Sequence, residues 1–169
     1  MNASIQFSTT TPDWSREKIL RGRYEPWKRL LAAIRKYQSI KAGKGSRLFL
    51  PFLVLQHRFW SSVCGADIPL NTTLGGGLIM THPNGIVIHP EARIGTNCLI
   101  FQQVTIGMGN VPGVPVIGGH VDIGAGAKIL GGIHIGDHAK IGANSVVLND
   151  VPAGATAVGI PARIIGRKL

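Results

Sequence analysis

The hydrophobic pattern of the chain changes period once, near Gly65. Before that point Trp27, Leu30, Leu31, Ile34 and Tyr37 recur at three- and four-residue spacing, with Lys28, Arg29, Arg35 and Lys36 between them. This spacing predicts an amphipathic helix starting near Pro26. A shorter helix is predicted from about Asp13 to Arg21, with Thr11 or Asp13 as its cap. The stretch from Lys41 to Ser46, with Gly43 and Gly45, reads as a loop before another helical piece reaching Phe59 and Trp60.

Beyond Gly65 aliphatic residues recur every six positions. Ile117, Ile123, Ile129, Ile135, Ile141 and Val147 form one series, Ile88, Ile94, Ile100 and Ile106 a second, and Ile68, Leu74, Met80 and Ile86 a third. Gly follows the aliphatic residue at 95, 107, 118, 124, 136 and 142. Such a period is neither that of a helix nor that of a simple sheet. It fits a coil with three flat sides, one aliphatic side chain pointing inward from each, and small residues at tight corners. The expected fold is mainly β: a parallel β-helix of hexapeptide repeats over residues 65–169, preceded by a basic, α-helical arm over residues 1–64. The series are out of phase, with a step of eight from Met80 to Ile88 and of eleven from Ile106 to Ile117. A coil absorbs such steps by bulging a corner or extruding a loop, and those interruptions are where function is expected.

Charge adds an asymmetry. Of a net +10, the excess lies in the arm: twelve Lys/Arg against three Asp/Glu up to Trp60, then six against five. No nucleic-acid motif accompanies it, so a solvated basic face or peripheral contact with an anionic membrane or glycolipid is expected instead. Cys64 and Cys98 have no metal or redox spacing and read as reduced thiols of a cytoplasmic protein. The segment from Met1 to Pro12 lacks the pattern of a secretory signal, and the longest apolar stretch, Leu48 to Gln56, is too short to span a membrane.

Several segments carry a resemblance: Ala66-Asp67-Ile68, Thr81-His82-Pro83-Asn84-Gly85-Ile86-Val87, Gln103-Val104-Thr105-Ile106-Gly107, Ile123 to Gly131, and Val158-Gly159-Ile160-Pro161-Ala162-Arg163-Ile164-Ile165-Gly166. Over about Ala66 to Arg167 the chain resembles the hexapeptide-repeat acyltransferases, and within them the serine acetyltransferases and the small polysaccharide-locus O-acetyltransferases. The resemblance implies a left-handed β-helix, a homotrimer with active sites between subunits, and acetyl-CoA as cosubstrate, with no metal. The arm is much shorter than the helical domain of full-length serine acetyltransferases.

Acyl transfer from a thioester to a hydroxyl needs a base, and histidine suits neutral pH. His82 lies inside the eight-residue step and matches the family's catalytic histidine; Asp67 matches its carboxylate partner. One eighteen-residue coil beyond Asp67 falls at Gly85, three residues from His82, which puts the pair near one corner on adjacent coils. Backbone N–H groups at Gly107 or Met108 are candidate oxyanion donors. The resemblance places CoA along Ala125 and Ala143, with Lys140, Arg163, Arg167 and Lys168 available to its phosphates. A metal-dependent hydratase would need three converging histidines, and a non-catalytic scaffold would not need the Asp67/His82 pair.

The acceptor is read from departures. Thr81 stands where serine acetyltransferases carry an aspartate, and Gly113 and Val114 where they carry an Arg-His pair, so Thr81, Gly113 and Val114 are acceptor-site candidates. Without those charges a zwitterion has fewer partners, and a sugar or glycan hydroxyl in polysaccharide synthesis is expected ahead of serine.

Overall fold

A computed structural model describes residues 8–167, the side chain of Arg167 excepted. Two helices, α1 (Pro26–Lys41) and α2 (Leu50–Cys64), lead into a parallel β-helix of short strands. One wall holds β1 (Thr73–Leu74), β4 (Arg93–Ile94), β7 (Val116–Ile117) and β10 (His134–Ile135). The second holds β2 (Ile79–Met80), β5 (Leu99–Ile100), β8 (Asp122–Ile123) and β11 (Lys140–Ile141), extended by β13 (Ala155–Gly159) and the antiparallel β14 (Ala162–Arg167). The third holds β3 (Val87–Ile88), β6 (Thr105–Gly107), β9 (Lys128–Leu130) and β12 (Val146–Val147).

Each wall turns two side chains per coil inward, the aliphatic residue of the repeat and the residue two before it. Ile94 with Ala92, Ile100 with Cys98, Ile106 with Val104 and Ile123 with Val121 are all buried. Each aliphatic side chain so placed stabilises the stack by about 1.5–3 kcal/mol. Ile86 belongs to this second kind: it is the inner neighbour of Ile88, so the third aliphatic series ends at Met80 and its expected fourth member is reassigned. Burial pushes the thiols of Cys64 and Cys98 up to about 11, and both are free. Protonated thiols in such surroundings are unreactive.

Strand pairing shows where the two interruptions go. Val87 pairs with Thr105, eighteen residues on, whereas Thr73 pairs with Arg93, twenty on, and Arg93 with Val116, twenty-three on. Two extra residues sit in the corner holding His82, and five more in the loop after Gly107. In every case the aliphatic residues remain opposite one another, as Ile88 with Ile106 and Ile106 with Ile129.

The arm closes the open first coil. Pro26 starts α1 in its first turn, where proline needs no N–H partner. Leu30, Leu31 and Ile34 join the same buried cluster as Ile68, Leu78 and Met80. Gly65, in the left-handed conformation, ends α2 and begins the first corner. The helix expected from Asp13 to Arg21 is reduced to a single 3-10 turn, Trp14–Glu17, with Asp13 as its cap. The preceding residues instead bond outward as a strap across the corners between the first two walls. Asn97, itself in the left-handed region at φ 58° and buried, accepts from Asp13 N–H at 2.8 Å and donates to Ser8 and Thr11 carbonyls at 2.8 and 2.9 Å. Glu17 anchors the strap's end by accepting from Leu78 N–H and from Arg35, 2.9 Å away. These contacts hold the segment in place of a longer helix, and Ile19 and Leu20 beyond the turn remain exposed.

Candidate active site

The corners between the second and third walls form a ladder of left-handed residues: Gly65, Gly85, Gln103, Gly126 and Asn144. Each of the four above Gly65 donates its N–H to the corner below: Gly85 to Gly65 at 2.7 Å, Gln103 to Asn84 at 2.9 Å, Gly126 to Gln102 at 2.8 Å and Asn144 to Ala125 at 2.7 Å. Glycine suits position 126, at φ 73°, where a Cβ would come 2.1 Å from Asn144 Oδ1 and displace that side chain. His82 sits at the base of this ladder, itself at φ 52° and exposed, because the two extra residues swing it out of the regular turn. Asn84 is held by Gln103, whose Nε2 donates to Asn84 Oδ1 at 2.9 Å.

Asp67 heads the outward-facing column of the third wall. Its backbone pairs with Val87, not with Gly85 as a uniform eighteen-residue coil would have it. The same two extra residues account for the difference. Asp67 and His82 are both exposed, and no hydrogen bond joins them among the described residues. Ala125 and Ala143 lie on the His82 ladder, on the two coils above Gln103, so one edge of the β-helix carries the histidine and both small residues assigned to CoA. Lys140 and Arg163 are exposed on the adjoining second wall near its far end, where β11 meets β13 and β13 meets β14. Arg167 closes β14, and Lys168 lies outside the described residues.

The remaining candidates divide. Thr81 adjoins His82, with its N–H donated to Ile100 at 3.1 Å. Gly107 ends β6, and Met108, Gly113 and Val114 belong to the loop that follows it at the opposite edge of the third wall. That loop folds over the next coil, where Gly132 donates to Val111 at 3.3 Å, and Met108 is exposed. One chain therefore places its histidine and its extruded loop on two different edges of the same wall. Gln102 was missed by sequence reasoning because a lone glutamine within the repeat has no spacing signal. It lies on the His82 ladder with Oε1 buried and unpartnered among the described residues. Among the described residues no group of three or more His, Cys, Asp or Glu could hold a metal ion.

Residues 115–149 match the family described as Bacterial transferase hexapeptide (six repeats). The chain is 47% identical over 106 residues to the serine acetyltransferase of Synechococcus elongatus, covering 61% of this chain and 43% of that one. It is 51% identical over 119 residues to probable serine acetyltransferase 5 of Oryza sativa subsp. japonica, covering 69% of this chain and 35% of that one. The chain thus spans less than half the length of these relatives. A crystal structure of serine acetyltransferase from Brucella abortus strain S19 superposes with a TM-score of 0.74 at 36% identity, over 86% of this chain and 59% of that one. The same Brucella enzyme in complex with coenzyme A superposes equally well, with a TM-score of 0.74.

These relatives overturn the expectation of a sugar acceptor in polysaccharide synthesis. That expectation rested on missing charges at Thr81, Gly113 and Val114. Three absent side chains constrain an acceptor pocket less than agreement over the whole β-helix does, because a zwitterion can also be held by backbone groups and by charges from other positions. The repeat, the three-walled left-handed parallel β-helix and this likeness together make the β-helix of this chain one of the bacterial transferase hexapeptide kind, similar to that of the serine acetyltransferases.

Proposed function

We propose that this protein transfers the acetyl group of acetyl-CoA to the hydroxyl of L-serine. The observation that carries the proposal is the 47–51% identity, over 106 and 119 residues, to proteins named serine acetyltransferases. The relatives' names supply the acceptor, and the solved complexes with coenzyme A support the donor.

In the proposed mechanism Asp67 accepts a hydrogen bond from one imidazole nitrogen of His82, fixing its tautomer and stabilising the imidazolium. The other nitrogen removes the serine hydroxyl proton as the oxygen attacks the thioester carbonyl. N–H groups near Gly107 and Met108 receive the oxyanion. Collapse of the intermediate breaks the carbon–sulfur bond, and His82 returns its proton to the departing CoA sulfur. Ala125 and Ala143 leave room for the pantetheine arm, and Lys140, Arg163, Arg167 and Lys168 meet the phosphates. Thr81, Gly113 and Val114 line the acceptor side.

Placement of His82 and the 108–114 loop on different edges favours a homotrimer in which the histidine edge of one subunit faces the loop edge of the next. Two free, buried thiols suit a reducing compartment, and we assign the protein to the cytoplasm.

The test is release of free CoA thiol by the purified protein from acetyl-CoA, with and without L-serine. Serine-dependent release is expected. Thermal stabilisation by CoA without serine-dependent release would sink the acceptor assignment while sparing the donor.

A further inference from the structure

The outward face of α2 is unpartnered and apolar. Leu48, Phe52, Leu55 and Phe59 are 89, 62, 66 and 58% exposed. The spacing of Phe52, Leu55, Phe59 and Val63 sets them in one line along the helix, and Leu48 and Phe49, in the 3-10 turn Arg47–Phe49 just before it, extend the apolar surface at its start. The stripe cannot turn inward, because the other side of α2 is committed: Leu53 and Cys64 are buried, and His57 Nε2 lies 2.8 Å from the Ile68 carbonyl. A contiguous apolar patch of this kind marks an interaction surface.

Charge indicates what covers it. From Pro26 to Cys64 the chain carries eight Lys/Arg and no Asp/Glu. Two of these cations are in ion pairs, Lys28 with Glu25 at 3.0 Å and Arg35 with Glu17 at 2.9 Å, and Arg29 lies over the Trp60 ring. The other six, Arg29, Lys36, Lys41, Lys44, Arg47 and Arg58, are exposed. Lys41, Lys44 and Arg47 lead directly into the stripe, and Arg58 stands on α2 itself. A helix presenting Phe and Leu, with Arg58 on it, Lys41, Lys44 and Arg47 in the segment that leads into it and no acidic residue from Pro26 to Cys64, suits a position in the plane of an anionic lipid interface. A second copy of the chain in a two-fold contact would set these uncompensated cations against themselves, at a net charge of +10 per chain. At fifteen residues α2 is also not long enough to cross a membrane.

We propose that α2 docks the protein on an anionic phospholipid surface, with Phe52, Leu55 and Phe59 entering the headgroup boundary and Lys44, Arg47 and Arg58 meeting lipid phosphates. This docking is independent of acetyl transfer and of its acceptor.

The experiment is co-sedimentation of the full chain with vesicles of phosphatidylcholine alone and of phosphatidylcholine mixed with phosphatidylglycerol, at low and high salt. Binding is expected only to the anionic vesicles and is weakened by salt. Replacing Phe52 and Phe59 together by Ser should abolish it, and Lys44→Gln with Arg47→Gln should lower the partition coefficient by roughly thirtyfold. All four side chains are exposed, so unchanged melting temperatures should accompany both losses. Equal binding to neutral and anionic vesicles, or wild-type binding by both variants, overturns the proposal. So does a sedimentation mass that falls in the Phe variant while vesicle binding persists, since a second copy then covers the stripe.

Discussion

His120 and His138 share a hydrogen bond on successive coils, their Nδ1 atoms 3.1 Å apart, so one imidazole must present an unprotonated nitrogen to the other. Burial, followed by the positive surroundings of His138, Arg16 and Lys140, holds His120 below its ordinary value of 6.5 against the opposing pull of Asp122. The unfolded chain therefore takes up this proton more readily than the folded one. The contribution is complete above the unfolded histidine value and is lost as pH falls through the lowered folded value. Thermal stability should decline between about pH 7 and pH 5. His120→Asn, which tolerates the φ of 53° at this position, should flatten that decline. A variant melting profile parallel to wild type over this range would remove His120 as the cause.

The catalytic assignment predicts a separation of activity from stability. His82 and Asp67 are exposed and outside the core, so His82→Ala and Asp67→Asn should melt with the wild type. His82→Ala should lower kcat by roughly 10²- to 10⁴-fold, and Asp67→Asn by less. Near-wild-type turnover by His82→Ala would mean that another group takes the hydroxyl proton.

Two glycines of the repeat should behave oppositely. A Cβ on Gly95 would stand 2.4 Å from the backbone of Gly118 on the next coil, where nothing can yield cheaply. Gly95→Ala should destabilise the fold by about 1–3 kcal/mol or more in chemical denaturation. A Cβ on Gly107 meets nothing within 4 Å. Gly107→Ala should fold normally and lower kcat/KM for serine, reporting on the acyl site; unchanged kinetics would remove Gly107 from it.

The strap gives a further prediction. Asn97→Ala leaves the Asp13 N–H and the Ser8 and Thr11 carbonyls without their partner, and should cost about 1–3 kcal/mol. Asn97→Gly loses the same hydrogen bonds but tolerates the left-handed backbone. If Asn97→Gly matches wild type in denaturation, the strap's bonds contribute nothing and only backbone conformation matters.

The walls were legible because burial imposes one residue type at one spacing, and the aliphatic positions from Ile88 to Val147 name the inner face directly. The two interruptions were legible as phase steps. Their effect on alignment was not: a step of eight does not say which residues pair across it, so Asp67 was set against Gly85 when Val87 is its mate. Ile86 was misplaced for a related reason, since both inward positions of a coil accept isoleucine. The strap was invisible because it is held through backbone groups of polar residues, which have no period. The acceptor is not legible from Thr81, Gly113 and Val114 alone, because absent charges at three positions leave open what the other positions supply.

The extra residues at the His82 corner and after Gly107 change the chain length of a coil without changing which aliphatic side chains face each other. Bond ladder and core are thus indifferent to the size of what is inserted between them. What is inserted at these corners and what folds the chain are written in separate parts of it: either corner can be lengthened, shortened or recoded while the aliphatic stack beneath keeps its register.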